Sequence, residues 1–150
     1  MENNYAYCVT AILQGDRKGV LSADKINPQI TFSAPPEFKG EPGLWTPEHF
    51  LVAAVASCFA VTFSAIAQLS RLDIMGLDLS VEGKLGKPEG KLRFVEIVMK
   101  PTLTILRNED RERANRLLEK AEQGCLIARS LAFPVTMEPL VRLAEEVLAR

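Results

Sequence analysis

Three cysteines, Cys8, Cys58 and Cys125, are the side chains of this 150-residue sequence best suited to covalent chemistry. They are odd in number and widely spaced, unlike the disulfide framework of a small secreted scaffold. In a reducing compartment a bond between any two of them would be transient and catalytic, so the chemistry to weigh is thiol redox. A cysteine attacks as its thiolate, and an unperturbed thiol holds only a few per cent of that form at neutral pH. Burial makes the deficit worse. A place in the middle of a helix also denies the thiol the positive end of a helix dipole, so a cation has to reach it from elsewhere. Arg17, in the first turn, is the candidate cation.

The elements that must position these groups follow from periodicity. Tyr5, Tyr7, Val9, Ala11 and Leu13 alternate with smaller or more polar neighbours, which predicts a strand; Gly15-Asp16-Arg17-Lys18-Gly19 then turns the chain and opens a hairpin. Short strands are expected at 20–23 and 29–33, separated by a turn at Asn27-Pro28, before a Pro- and Gly-rich loop over 35–43. Thr46-Pro47 then signals a helix start, Thr as cap and Pro at the first helical position. This helix is expected to run to about Leu72 and carries Cys58 midway, in a row with Leu51, Ala54, Val55, Val61, Thr62 and Ala65.

Further on, Leu77, Leu79 and Val81 alternate with Asp78, Ser80 and Glu82, and a turn at 86–90 leads into a second alternating run over 92–105, with Pro101 at a bulge or an edge. From Asn108, as N-cap, an amphipathic helix carries Ala114, Leu117, Leu118, Ala121, Cys125 and Ala128 on its inner face. A short strand at 135–137 and a terminal amphipathic helix over 140–150 complete an α+β order within one domain, 1–150. Two helices packed at about 8–10 Å could bring Cys58 and Cys125 within disulfide reach. Two buried cysteines on two helices also serve as ordinary core, and the residues alone leave both readings open.

Composition narrows the partners. A formal net charge of −1, with no run of like charges, gives no electrostatic footprint for nucleic acid and favours small neutral partners. The opening Met1-Glu2-Asn3-Asn4-Tyr5 lacks signal- and transit-peptide patterns, so the expected location is the cytoplasm. The twenty uncharged residues 50–69 are long enough to span a bilayer, but they are only mildly apolar and lack flanking Lys/Arg clusters, so they are read as a soluble core helix. A helix apolar all round needs cover on every side, which a lone 150-residue domain struggles to give it, so a dimer is expected. No metal-ligand spacing exists. The sole histidine, His49, reads as a helix-start residue, and Cys8 as a structural residue of the first strand.

The block Thr46-Pro47-Glu48-His49-Phe50-Leu51, leading to Ala56-Ser57-Cys58-Phe59-Ala60, resembles the "NPE…AACF" signature of the OsmC/Ohr family of osmotically inducible and organic hydroperoxide resistance proteins. The spacing of ten between Glu48 and Cys58, the Gly-x-Arg-x-Gly turn around Arg17 and a late helix bearing Cys125 extend the likeness over nearly the whole chain. The resemblance implies an OsmC-like fold, with two β-sheet portions around a long central helix, in an intertwined homodimer with its sites at the subunit interface. It implies a thiol peroxidase without cofactor or metal. Cys58 would be the peroxidatic thiol and Cys125 the resolving one, with Arg17 stabilising thiolate and peroxide and Glu48 orienting Arg17. The substrate would be a small hydrophobic hydroperoxide and the reductant a dithiol of lipoyl type or another.

On one continuous helix, Glu48 and Cys58 lie about 15 Å apart along the axis. They cannot share a site by direct contact, so either Glu48 reaches across from the other subunit or Arg17 bridges the gap. The surroundings of Cys125, Gly124-Cys125-Leu126-Ile127-Ala128-Arg129-Ser130, lack the family's Cys-Pro pattern. This motivates a second reading, an OsmC-like module that binds a hydrophobic small molecule or senses redox state without peroxidase turnover.

Overall fold

The computed structural model describes residues 4–149; the reading of Met1-Glu2-Asn3 and the end of the expected terminal helix at Arg150 lie outside them. The chain forms two compact units, Met1–Leu51 and Val52–Arg150.

In the first unit, β1 (Thr10–Gly15), β2 (Lys18–Ala23) and β3 (Ile26–Ser33) make an antiparallel sheet in that order. The first strand starts later than its alternation predicts, because β2 ends opposite it: Thr10 pairs with Ser22, and β2 has no residues left to pair with Tyr5 or Tyr7. Cys8 therefore precedes the strand and is exposed, which corrects its reading as a structural residue. The β2–β3 turn falls at Asp24-Lys25, where Lys25 takes a φ of 61°, and Asn27-Pro28 lies inside β3. Asp16-Arg17 form the tight β1–β2 turn. Gly19 follows because a side chain there would meet the Ile12 carbonyl and crowd the Phe32 ring. After β3, Ser33 is fully buried; its hydroxyl accepts the Glu41 N–H at 2.9 Å and donates to the Ala34 carbonyl at 2.9 Å, closing the loop that leads to Trp45.

Helix α1 (Pro47–Leu69) starts in the first unit and continues into the second. The second unit adds β4 (Ile74–Gly86), β5 (Arg93–Ile105), α2 (Arg111–Gly124), α3 (Leu126–Arg129), β6 (Val135–Met137), β7 (Leu140–Leu143) and α4 (Ala144–Leu148). β4 and β5 form a long antiparallel hairpin, and β6 and β7 both run parallel to β5. Pro101 sits at neither a bulge nor an edge. It pairs opposite Leu79 in an unbroken stretch of the β4 ladder, between the residues of β5 that pair with β6 (Ile97 to Met99) and those that pair with β7 (Thr102 to Ile105). A residue without an N–H fits that gap. Leu140–Leu143 is a strand and not the start of a helix, because β5 offers it a free ladder; only Ala144–Leu148 is helical.

Val55, Phe59, Phe63 and Ala67 of α1 recur every four residues and are buried, and they join Ile97, Met99, Leu103 and Ile105 of β5 and Ala114, Leu117, Leu118 and Ala121 of α2 in one core. Each fully buried Phe contributes about 1.5–3 kcal/mol relative to an exposed one. α2 begins two residues later than expected, with Asp110 at the N-cap position in place of Asn108. Asn108 opens a 3-10 turn, and the buried Asp110 ends it, held by Arg107 at 3.0 Å and Arg113 at 3.1 Å. Arg113 also donates to the Ser70 carbonyl at 2.8 Å, tying α2 to the end of α1.

Within this chain α1 is covered along one stripe and not on all sides. By length and composition alone it could cross a membrane, and 22% of its most apolar window is buried. Val61 remains 67% exposed.

Candidate active site

The site begins at the α1 cap. Thr46 is buried, and its hydroxyl accepts the His49 N–H at 3.2 Å and meets His49 Nδ1 at 2.7 Å, so Thr46 caps the helix and His49 serves as the helix-start residue its position implies. Trp45 stacks on Phe50 with ring centroids 5.9 Å apart, bracing the first turn. Glu48 lies in that turn. Among the described residues its Oε2 is buried without a hydrogen-bond partner. An uncompensated buried carboxylate oxygen is costly.

Cys58 and Cys125 are brought together in the second unit, both as free thiols. Cys125 is fully buried, with Sγ 4.0 Å from the Val55 carbonyl, three residues before Cys58 on α1. It does not lie on the inner face of a helix, as its spacing suggests: α2 stops at Gly124, and Cys125 takes an extended conformation (φ −70°, ψ 102°) before α3. The break turns the backbone of Leu126 and Ile127 toward the Cys58 sulfur.

These surroundings separate the two thiols. Burial pushes the Cys58 thiol up, but hydrogen bonds from the Ile127 backbone, the Cys125 thiol, the Thr62 hydroxyl and the Leu126 backbone outweigh it, and the net result is a thiol more acidic than ordinary cysteine. Cys125 goes the other way. Burial raises it most, the Ala128 backbone offsets part of this, and the hydrogen bond and negative charge it shares with Cys58 raise it further. Cys58 thus ionises first and Cys125 keeps its proton. Because the thiolate fraction falls as pH drops below the Cys58 pKa, alkylation of Cys58 should stay fast at a pH where an ordinary cysteine is already quiet.

This donor set is local to the helix break, whereas the sequence pointed only to a distant cation. Gly124, a helix-stop residue just before Cys125, was the available signal. Arg17 and Glu48 both belong to the first unit. Arg17 is exposed at the β1–β2 turn with φ 57°, and its carbonyl accepts the Ala34 N–H at 2.9 Å. Among the described residues no ion pair joins Arg17 to Glu48 within the chain. Nor, among them, is any group of three or more His, Cys, Asp or Glu placed to hold a metal ion.

Two β-sheets, a long helix carrying Cys58 and a buried Cys125 beside it at a helix break define an α+β protein with a pair of neighbouring free thiols. The OsmC-like protein family model matches residues 40–139, and the chain belongs to that family. Its fold is that of an OsmC-like protein of unknown function from Vibrio cholerae, with a TM-score of 0.83 at 21% identity over 91% of this chain and 100% of that one. An organic hydroperoxide resistance protein from Legionella pneumophila superposes with a TM-score of 0.74 at 21% identity, over 94% of this chain and 99% of the other. OhrB of Bacillus subtilis, also an organic hydroperoxide resistance protein, gives 0.67 at 20% identity, over 92% and 98%. The uncharacterized protein YmaD of Bacillus subtilis is 28% identical over 128 residues, 83% of this chain and 85% of that protein.

Proposed function

We propose that this protein is a cysteine-based peroxidase that reduces organic hydroperoxides in a reducing cytoplasm. The observation that carries the reading is the asymmetric thiol pair, an acidic Cys58 beside a buried, proton-retaining Cys125. The Cys58 thiolate attacks the distal peroxide oxygen; the O–O bond breaks, Cys58 becomes a sulfenic acid, and the alkoxide leaves and takes up a proton as the alcohol. The Cys125 sulfur then attacks the sulfenic sulfur, water departs, and a Cys58–Cys125 disulfide remains. A dithiol of lipoyl type or another returns both thiols and is itself oxidised to a disulfide.

Arg17 holds the thiolate and polarises the peroxide, and Glu48 orients Arg17. The partnerless Glu48 oxygen supports this role, since a guanidinium is the donor such an oxygen needs. A homodimer supplies the missing cover. Ile12 (56% exposed), Leu13 (71%) and Ile26 (64%) leave the first sheet apolar and open, as Val61 leaves α1. The family match crosses the boundary between the two units, which supports reading 1–150 as one domain.

The test is turnover. With a dithiol in excess, the protein should consume cumene hydroperoxide catalytically and faster than hydrogen peroxide, and light scattering should give twice the chain mass. Stoichiometric consumption that stops after one equivalent, whatever the dithiol, would overturn the enzyme reading. A second reading, binding of a hydrophobic small molecule, draws on an apolar groove of about 150 Å³ in the first unit, lined by residues that include Leu21, Ile26, Ile30 and Phe50. A retained ligand in native mass spectra, without turnover, would favour it.

A further inference from the structure

We infer that Thr62 is a positioning residue for Cys58: its hydroxyl holds the Cys58 sulfur from one turn along α1 and its methyl fixes the hydroxyl's direction. The inference rests on the reading of Cys58 as the reactive thiol. A hydroxyl in the middle of a helix ordinarily donates back to the carbonyl three or four residues earlier. Ser57 does so, reaching the Ala53 carbonyl at 2.8 Å, and Ser130 reaches the Leu126 carbonyl at 2.7 Å. Thr62 departs from this habit. Among the described residues its hydroxyl has the Cys58 sulfur as partner, 4.0 Å away, within range for a hydrogen bond to sulfur.

The other branch of Thr62 explains the departure. Its Cγ2 faces Gly124, 3.5 Å from where a Cβ there would sit, so the methyl points to the chain break that presents Cys125. A β-branched side chain is stiff about χ1. With the methyl directed at Gly124, the hydroxyl is left facing Cys58. Thr62 is half-buried beside a half-buried sulfur, where a neutral donor discriminates between thiolate and thiol better than it would in open water. The helix break and the thiol are thus coupled through one side chain.

Thr62→Val keeps the shape and branching and removes only the donor, and Thr62→Ser keeps the donor and removes the methyl. The measurement is mass-resolved alkylation of the Cys58 peptide by iodoacetamide across pH, which needs no peroxide and separates Cys58 from the exposed Cys8. Thr62→Val should slow Cys58 alkylation at neutral pH by roughly three- to tenfold and move its pH profile upward, the loss expected of one hydrogen bond to a thiolate. Thr62→Ser, whose hydroxyl is free to turn back to the helix carbonyl as that of Ser57 does, should be slowed as well, by no more than Thr62→Val. A Thr62→Val profile that overlays the wild type, or a Thr62→Ser profile that does so or is shifted further than Thr62→Val, would overturn the inference. Slower alkylation in both variants would support it even if the protein failed to turn over any hydroperoxide, so the fate of the peroxidase reading is decided separately.

Discussion

Replacing Cys58 with serine is expected to reduce the rate of reaction with an alkyl hydroperoxide by at least about 10³-fold, as removal of a catalytic nucleophile does. Neither remaining cysteine can take its place. Cys125 is fully buried and its thiol is raised by that burial, so it offers little thiolate at neutral pH. Cys8 is exposed before β1 and belongs to the first unit, apart in sequence from the Cys58–Cys125 pair. Stopped-flow oxidation monitored through Trp45, with peptide mapping of the products, separates the two outcomes. A Cys58→Ser protein that still reacts at the wild-type rate would move the chemistry to another residue.

The second large effect belongs to Arg17. Arg17→Ala should slow Cys58 oxidation by about 10²-fold, comparable with the loss of one donor that stabilises developing charge. Stability should change by no more than about 0.5 kcal/mol, because the side chain is exposed and, among the described residues, makes no ion pair. Arg17→Lys should recover only part of the rate, since an ammonium keeps the charge and loses the planar fork. Glu48→Gln should act through the same group. If Glu48 orients Arg17, the double variant is no slower than Arg17→Ala alone, and the two effects fail to add. Stopped-flow rates for the four proteins complete that cycle. Additive losses would detach Glu48 from Arg17.

Local signals carried much of this structure in plain view. Thr46-Pro47 announced α1 because capping is decided within one turn, but in a helix apolar all round the stripe that is buried, Val55, Phe59, Phe63 and Ala67, did not stand out, and Val61 and Ala65 of the row read with Cys58 are exposed. The alternation of Leu77, Leu79 and Val81 gave the β4–β5 hairpin for the same reason. What stayed hidden depended on distant partners. Leu140–Leu143 has a pattern that suits a helix, and only the free ladder of β5 makes it a strand. Tyr5 and Tyr7 alternate correctly but find no strand beside them. Pro101 looked like an edge residue until β6 and β7 were found to leave a gap beside it.

The site divides along the same line. Cys58 and Cys125 were legible as a candidate pair from spacing, the need for a cation pointed to Arg17, and the family likeness supplied the role of Glu48. The order of ionisation was not legible, because it comes from the break after Gly124, which turns two backbone segments and a second thiol onto Cys58. An amphipathic pattern that continues past Gly124 to Ala128 conceals that break. It favours the proposed reading over two cysteines filling a core, since it puts donors on one sulfur and burial on the other.

Mass mapping after one equivalent of cumene hydroperoxide, with the fully reduced protein as starting material, tests this account most directly. A single disulfide per chain joining Cys58 to Cys125 is expected, with Cys8 still free. Oxidation that leaves Cys125 free, whether Cys58 is untouched or halts as a sulfenic or sulfinic acid, would contradict it.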